Sequence, residues 1–367
     1  MPDEAALPAS PIKGRGAVTN RPGRYERGDR PREDDGWNIG AELSEDRPET
    51  TVTLDATRRI IARNESPDIG FDRSINPYRG CEHGCVYCFA RPTHAWLGLS
   101  PGLDFETKLF AKPAAAERLR EELASPRYTP AVMALGTNTD PYQPIERKLG
   151  ITRQILEVLA ECRHPVSIVT KSALVLRDLD ILSAMAKDGL ANVSLSVTTL
   201  DPALARKMEP RAPAASRRLE AMRQLSEAGI PTGVMAAPII PAINDMEIER
   251  ILDAAAAAGA TSAGYVLLRL PLEIKDLFDE WLAAHYPQRA TRVMALIRDT
   301  RNGQAYDSRF GARMKGEGPY AEMIKRRFAL ACRRLDLNRR RSELRTDLFR
   351  PPVLRANPQL SLFADSA

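Results

Sequence analysis

Three cysteines are crowded into the stretch RGCEHGCVYCFA, residues 79–90. Cys81, Cys85 and Cys88 have the spacing C-x3-C-x2-C, in a chain of 367 residues that has only 5 cysteines. The odd count and the clustering argue against a disulfide framework and predict a reducing compartment, the cytoplasm, where thiols are kept for chemistry. Thiolates are soft ligands that select iron–sulfur clusters, zinc or copper(I). The stretch is therefore a candidate metal site.

Two kinds of metal site are compatible with this loop. Gly80 and Gly84 let the backbone bend, so that the three thiolates can face one point. A [4Fe–4S] cluster held by three cysteines keeps one iron open for a further ligand, as a catalytic cluster requires. A structural zinc site would instead need a fourth protein ligand, either His83 or His94. His83 lies between two of the cysteines and is badly placed to join them, whereas His94 lies six residues past Cys88.

Short apolar segments alternate with helix-like segments after the first strand. The predicted strands are 73–78, 131–136, 166–170, 192–199, 232–239 and 263–268. The predicted helices are 113–124, 145–161, 174–188, 212–228, 244–258 and 273–284. Six such repeats predict an α/β fold with a parallel sheet, either doubly wound or closed into a barrel. In both architectures ligands bind at the carboxyl ends of the strands, so the loops after the strands should form the site.

Local residue patterns predict where several of these helices begin and end. Gly229 and Gly259 follow two helices at the position where a left-handed C-cap is expected. Asn244 with Glu247 three residues later predicts a capping box at the start of the helix 244–258.

Composition divides the rest of the chain. Residues 1–55 are rich in proline and charge and are predicted to form a disordered arm. The catalytic core is predicted over 65–300, followed by a helical, basic extension over 301–349 that contains a helix at 319–336. Residues 350–367 are predicted to form a flexible tail.

Global properties exclude some classes of function and permit others. The chain is 43% hydrophobic, which is enough for a large core, and its net charge of +5 permits an anionic partner such as nucleic acid without requiring one. The N-terminal segment MPDEAALPAS is acidic and lacks the apolar region of a signal peptide. The sequence has no apolar run of about 18 residues, so no membrane association is expected.

The C-x3-C-x2-C spacing, with the aromatic Tyr87 before the last cysteine and a strand before the loop, resembles the signature of the radical SAM superfamily. The resemblance implies that Cys81, Cys85 and Cys88 hold a [4Fe–4S] cluster whose open iron binds S-adenosylmethionine (SAM). One electron, from a donor such as flavodoxin or ferredoxin, then cleaves SAM to a 5′-deoxyadenosyl radical that abstracts hydrogen from the substrate. The resemblance to the superfamily also implies a partial (β/α)6 barrel.

Several further segments resemble the spore photolyase-like branch of that superfamily, which is related to DNA repair photolyases. They are NPYRGCEHGCVYC (76–88), GTNTDPYQP (136–144), VTKS (169–172), SLSVTT (194–199), MEPRAPAASRRLEAMRQLSEAGIP (208–231) and APIIPAIND (237–245). This resemblance implies a lyase-like enzyme that acts in DNA repair or nucleotide modification. One feature departs from the branch: the hydrogen-donor cysteine after strand 2 is replaced by about Thr137, so dimer repair by the spore photolyase route is not expected.

The same resemblance assigns SAM contacts. Lys171, at the end of strand 3, would reach the SAM carboxylate, although a lysine at a strand end is usually only solvated. Thr139 would contact the SAM amino group, although its segment is also typical of a turn. Ser194 and Ser196 lie on one face of strand 4 and would bind the ribose or the amino-acid part, or else pack as small residues.

Two more residues are assigned to the cofactor site by resemblance. Tyr87, within the cysteine loop, would lie beside SAM. Arg211 would lie near the active site and could pair with Glu209. No residue is assigned a direct catalytic role.

The C-terminal region predicts two contacts with partners. Gln359, Leu360, Ser361, Leu362 and Phe363 form the peptide QLSLF, which resembles the short motif by which bacterial replication and repair proteins dock on the DNA sliding clamp. The basic segment 333–345 could bind DNA phosphates. The alternatives are a tail that folds back on its own domain and an ordinary solvated helix face.

Three functional hypotheses follow. The first is a cytoplasmic radical SAM enzyme that acts on DNA or a nucleotide. The second is a non-catalytic, nucleic-acid-associated protein with a structural zinc or iron–sulfur site. The third is a radical SAM enzyme that modifies a tRNA or a protein.

Overall fold

The computed structural model describes residues 11–26, 49–339 and 343–354. Its main feature is a seven-stranded sheet in which neighbours pair in parallel, except for one antiparallel strand at an edge. In spatial order the strands are β10 (Ser262–Leu267), β9 (Thr232–Ile239), β8 (Ala191–Ser196), β7 (Val166–Thr170), β6 (Met133–Leu135), β3 (Arg73–Ile75) and the antiparallel β2 (Ile61–Arg63). The predicted α/β fold with a parallel sheet is confirmed.

A small second sheet lies beside the cysteine loop. Its order is β1 (Thr51–Leu54), β5 (Lys108–Ala111) and β4 (Tyr78–Arg79), with β1 parallel and β4 antiparallel to β5. β4 ends two residues before Cys81, so this sheet fixes where the loop begins.

Helices connect the strands and cover the sheet. They are α1 (Asp104–Thr107), α2 (Ala115–Leu123), α3 (Glu146–Leu149), α4 (Ile151–Glu161), α5 (Leu179–Lys187), α6 (Pro202–Met208), α7 (Ala215–Glu227), α8 (Ile248–Ala257), α9 (Ile274–His285), α10 (Pro287–Asp299), α11 (Ala312–Lys315) and α12 (Gly318–Arg334). Short 3₁₀ turns span Arg91–Leu97, Ala173–Asp178 and Asp245–Glu247. Within the described residues, no helix is both long and apolar enough to cross a membrane.

Helix ends follow the sequence prediction in part. Gly229 and Gly259 have φ of +76° and +88° and end α7 and α8 as predicted. The predicted capping box is wrong. The Asn244 side chain instead accepts from the N–H of Ile240 and donates to the carbonyl of Thr198, because the loop after β8 lies within its reach.

Alternation along β8 separates the core from the concave face of the sheet. Val193 and Leu195 are fully buried in the core beneath the helices. Ser194 points the other way, and a Cβ at its neighbour Gly233 would lie 2.8 Å from the Ser194 Oγ. This face is therefore closely packed where β8 and β9 are paired, and a side chain at Gly233 would not fit without a shift.

Part of the predicted disordered arm is ordered. Residues 11–26 follow a defined path and bury Ala17 and Val18, and residues 51–54 form β1. The prediction of disorder over 1–55 is wrong for these residues, because distant polar partners compensate for their small apolar content. Residues 1–10 and 27–48 lie outside the described residues.

The C-terminal region returns to the core. The N–H of Arg345 donates to the carbonyl of Gly189 (2.9 Å), and that of Arg350 donates to the carbonyl of Cys162 (2.8 Å). Phe349 packs against Tyr128. The predicted clamp-binding peptide, residues 359–363, lies outside the described residues.

The two faces of β8 should differ in their sensitivity to truncation. Leu195→Ala removes fully buried apolar volume and should lower the free energy of unfolding by about 2–5 kcal/mol. Ser194→Ala, one position away on the opposite face and only partly buried, should change it by roughly 1 kcal/mol or less. Urea unfolding followed by circular dichroism would measure both, and equal losses would contradict the assignment of faces.

Candidate active site

The cysteine loop is short, tightly turned and largely buried. Cys81 and Cys85 are 7% and 8% exposed, and Cys88 is partly buried. The N–H of Gly84 donates to the carbonyl of Cys81 (3.3 Å), and that of Cys88 donates to the carbonyl of Cys85 (3.2 Å). Gly84 has a φ of +67°, and a Cβ there would lie 2.8 Å from a carboxylate oxygen of Glu106. Only glycine fits this position without strain.

Burial sets the protonation of the three thiols. Burial is the main reason why the pKa of Cys85 rises to about 12. Burial also raises the pKa of Cys81 and of Cys88. The positive charge of Lys171 opposes the shift at Cys85 and Cys88. A bound metal centre would therefore displace protons from these thiols and couple its own binding to the order of the loop.

Zinc and a [4Fe–4S] cluster place different demands on the three thiols. A zinc ion needs sulfur ligands within about 4.6 Å of one another, because each Zn–S bond is about 2.3 Å. Three cysteines that each bind a different iron of one cluster do not need this proximity. Cys81, Cys85 and Cys88 are the residues that would hold either centre.

His94, the proposed fourth zinc ligand, is engaged elsewhere. Its Nε2 is 3.0 Å from the carbonyl oxygen of Lys108, and its ring packs edge-on against Phe105. Burial lowers the pKa of His94 to about 4, so the ring is neutral. His94 supports the small sheet in this arrangement.

A buried ion pair holds the backbone of the loop. Arg91 is fully buried and donates from Nε to the carbonyl of Cys85 (2.9 Å) and from Nη2 to the carbonyl of Gly84 (3.2 Å). Its Nη2 also pairs with the carboxylate of Glu106 on α1, which is itself fully buried. The sequence places Arg91 three residues after the last cysteine, but spacing alone did not identify this role.

The N-terminal segment closes over this ion pair. The N–H groups of Gly16 and Ala17 donate to the Glu106 carboxylate at 3.0 Å and 2.8 Å. A Cβ at Gly16 would lie 1.7 Å from the carbonyl oxygen of Gly84, so the two backbones touch. Residues from the predicted disordered arm thus belong to the support of the cysteine loop.

A second buried ion pair holds the other side of the loop. Glu209, at the end of α6, pairs with Arg218 of α7 and accepts a hydrogen bond from the Tyr87 hydroxyl. Burial would raise the pKa of Glu209, but Arg218 and Lys171 lower it to about 2. The expected pairing of Glu209 with Arg211 is wrong, because Arg218 is the arginine that reaches the carboxylate.

Lys171 and Tyr87 meet at the carboxyl end of β7. The Lys171 Nζ lies 5.7 Å from the Tyr87 ring centroid. Burial alone would lower the pKa of Lys171, but interaction with the Cys85 sulfur, in its thiolate form, and with the Glu209 carboxylate raises it. The side chain is therefore a cation held beside the cysteine loop.

Asp140 fixes the backbone next to this lysine. It accepts from the N–H of Lys171 (2.8 Å) and the hydroxyl of Thr170 (2.6 Å), and its carboxylate lies 3.3 Å from the His83 Nδ1. Burial alone would raise the pKa of Asp140, but the nearby His83 is the main group that lowers it, to about 2. The loops after β6 and β7 are thereby joined to the cysteine loop.

The other predicted cofactor residues are placed differently. Ser196 is buried, and its carbonyl accepts from Arg218 (2.8 Å), which ties β8 to the Tyr87 side of the site. The Thr139 hydroxyl donates to the carbonyl of Tyr78 (3.3 Å). Ser194 lies on the same face of β8 as Ser196, nearer the start of the strand.

Arg211 contacts a different side of the loop. Its guanidinium pairs with Glu82 (3.0 Å) and lines a cleft of about 630 Å³ together with Lys13 and Glu49. The structure therefore joins Tyr87 and Lys171 with the cysteines and directs the Arg211 side chain to this cleft.

Comparison with known proteins agrees with this geometry. The sequence pattern of the radical SAM superfamily matches residues 75–255. An uncharacterised protein of Mycobacterium tuberculosis is 38% identical over 242 residues, which cover 65% of this chain and 71% of that protein. This chain belongs to the radical SAM superfamily. An uncharacterised protein of Methanocaldococcus jannaschii is 31% identical over 173 residues, covering 47% of this radical SAM protein and 62% of the relative.

Solved structures share the fold of this radical SAM protein. Two mutants of spore photoproduct lyase each match with a TM-score of 0.53 at 15% identity, over 77% of this chain and 78% of theirs. At that identity the match shows a common fold. The predicted fold type is confirmed, and it is shared with spore photoproduct lyase.

The contact between Gly16 and Gly84 provides a test of the N-terminal support. Gly16→Ala should lower the free energy of unfolding by about 1–3 kcal/mol, because a backbone atom blocks the added methyl group. After anaerobic reconstitution and desalting, the variant should also retain less iron per chain than the wild type. Gly70→Ala is the control, since a Cβ at Gly70 would have no atom within 4 Å. Equal iron retention in Gly16→Ala and the wild type would contradict the proposed support.

Proposed function

We propose that this protein is a radical SAM enzyme that holds a [4Fe–4S] cluster through Cys81, Cys85 and Cys88 and cleaves SAM reductively. The observation that carries the proposal is the meeting of these cysteines with a partly buried lysine, Lys171, and with Tyr87 at the carboxyl end of β7. When bound, the cluster and SAM would supply one-electron cleavage of SAM to methionine and a 5′-deoxyadenosyl radical, which could abstract hydrogen from a substrate.

The chain's own residues bind and orient SAM in this proposal. Lys171 offers a cation to the SAM carboxylate, and a charge-assisted hydrogen bond of this kind contributes about 1.5–3 kcal/mol. Tyr87 is fixed by Glu209 and would line the same pocket. The hydroxyls of Ser194 and Ser196 and that of Thr139 are the remaining donors proposed for the ribose and amino-acid parts.

For the substrate, we propose DNA or a nucleotide. The net charge of +5 and the fold shared with spore photoproduct lyase support this class. In the basic segment 333–345, Arg334 pairs with Asp253 and Arg339 pairs with Asp336, so part of its charge is neutralised. In this proposal the segment contributes to substrate binding but does not hold the substrate alone.

The reaction need not be that of spore photoproduct lyase. At the position expected for a hydrogen-donor cysteine, Thr137 donates from its hydroxyl to the Asn76 side chain (3.1 Å). Cys162 and Cys332 are buried at the end of α4 and in α12, and both pack in the hydrophobic core. We propose a lyase-like radical reaction without a cysteine donor, in the cytoplasm, with a flavodoxin or ferredoxin as reductant.

Anaerobic turnover tests the proposed function. The reconstituted protein, reduced with dithionite and given SAM, should release 5′-deoxyadenosine, and the triple variant Cys81→Ala, Cys85→Ala, Cys88→Ala should release none. Lys171→Met should weaken SAM binding by roughly tenfold or more, because a charge-assisted hydrogen bond is lost. Lys112→Met is the control, since the Lys112 Nζ bonds the carbonyl of Asn76.

The contrary result would favour the structural-site hypothesis. Stoichiometric zinc in the purified protein, with no SAM cleavage after reconstitution, would identify the cysteine loop as a structural site.

We also propose that the C-terminal peptide docks on the DNA sliding clamp. Leu362 and Phe363 would enter an apolar pocket while Gln359 fixes the register. The double variant Leu362→Ala, Phe363→Ala should weaken binding of the full-length protein to a purified bacterial clamp by roughly 30-fold or more, because two anchors are lost. Asp365→Ala, outside the motif, is the control, and undiminished binding of the double variant would reject the proposal. Surface plasmon resonance would measure the affinity of the wild type, the double variant and the control for the clamp.

A further inference from the structure

Two exposed phenylalanines, one of them next to the cysteine loop, are each covered by an arginine. Phe89, which follows Cys88 directly, is 46% exposed, and the Arg269 guanidinium lies 5.2 Å from its ring centroid. Phe310 is 59% exposed, and the Arg313 guanidinium lies 4.6 Å from its ring centroid. Each ring thus has an arginine against it and a large part of its surface open to solvent.

These residues form one continuous surface. Arg269 donates to the sulfur of Met314 (3.5 Å) and to the hydroxyl of Tyr306 (3.4 Å), which joins the Phe89 side to the segment that carries Phe310. We call the set the aromatic–arginine surface; it consists of Phe89, Arg269, Tyr306, Phe310, Arg313 and Met314.

The surface reaches both edges of the main sheet. Arg269 comes two residues after β10, the strand at one edge. Arg313 pairs with Asp68 (2.5 Å), which lies in the connection between β2 and β3 at the other edge. A ligand lying here is next to Cys88 and beside the opening between the two edges of the sheet.

Carboxylates neutralise only part of the positive charge of this surface, since Arg313 is paired with Asp68, whose carboxylate also lies within electrostatic reach of Arg269. Across the part of the chain that the structure describes, neither Arg269 nor the adjacent buried Arg301 makes an ion pair. Arg301 instead donates to the carbonyls of Ala312 and Leu268. A second exposed aromatic–arginine cluster, Arg24 over Trp96, differs because Arg24 is paired with Glu273 (2.8 Å). Of these two clusters, the surface beside Cys88 is the one that combines open rings with an arginine, Arg269, that is not ion-paired among the described residues.

We propose that the aromatic–arginine surface binds an unpaired stretch of nucleic acid, with a base stacked on Phe310 or Phe89 and a phosphate near Arg269. Base stacking on aromatic rings requires open ring faces, and phosphates require unneutralised cations. An acidic peptide would use the cations but would gain little from the rings. The inference rests on the proposed function and names the place where the substrate strand lies.

Fluorescence anisotropy with a labelled single-stranded oligonucleotide tests this binding on the full-length protein. Phe310→Ala should weaken binding by roughly tenfold, the range seen when one stacked base loses its aromatic partner. Arg269→Gln should weaken binding and reduce the slope of log affinity against log salt by about one. Trp96→Ala, in the neutralised cluster, should bind like the wild type.

The outcomes separate this inference from the proposed function. Wild-type binding by both Phe310→Ala and Arg269→Gln would overturn the inference even if the protein releases 5′-deoxyadenosine. Loss of binding in these variants, in a protein that never cleaves SAM, would support the surface as a nucleic-acid-binding site and reject the proposed radical SAM reaction. Equal affinity for a duplex of the same sequence, or for a poly-glutamate peptide, would also overturn the inference, because neither offers an unpaired base. Circular dichroism must show that both variants are folded.

Discussion

The buried ion pair between Arg91 and Glu106 is the interaction on which the cysteine loop depends. Taking two charges out of water costs several kcal/mol for each ion, and only a full set of hydrogen bonds offsets that cost. Arg91 has this set, because it donates to the carbonyls of Gly84, Cys85 and Gly102 as well as to Glu106. The loop backbone and the charge therefore stabilise each other.

The second ion pair, Glu209 with Arg218, holds the loop from the barrel side. The N–H of Val86 donates to the carbonyl of Met208, so the loop is joined to the end of α6 by its backbone as well as by the Tyr87 side chain. With support on both sides, the cysteines are fixed by residues that are not themselves ligands. Such support is what a site that must hold a reactive centre in one position requires.

The parallel sheet brings distant segments to the same place. Lys171 follows β7, Ser196 ends β8, and Asp140 lies in the loop after β6, so all three are at the carboxyl edge of the sheet. Ser194 and Gly233 pack closely where β8 and β9 are paired, since a Cβ at Gly233 would lie 2.8 Å from the Ser194 Oγ. The aromatic–arginine surface contains none of the residues of the two ion pairs that hold the loop, so the substrate proposed for it would not displace these supports.

The sequence by itself determined the cysteine loop and the main sheet. The loop is a local pattern, and β7 and β9 were predicted at the residues where they occur, because apolar runs bounded by turn residues specify buried strands. Tertiary structure alone decided which charges pair. Glu209 meets Arg218 rather than Arg211, and Gly16 reaches Glu106 across 90 residues, because folding brings together groups whose spacing in the chain carries no signal. The order of the N-terminal segment has the same cause: its polar backbone is stabilised by a carboxylate that local composition cannot reveal.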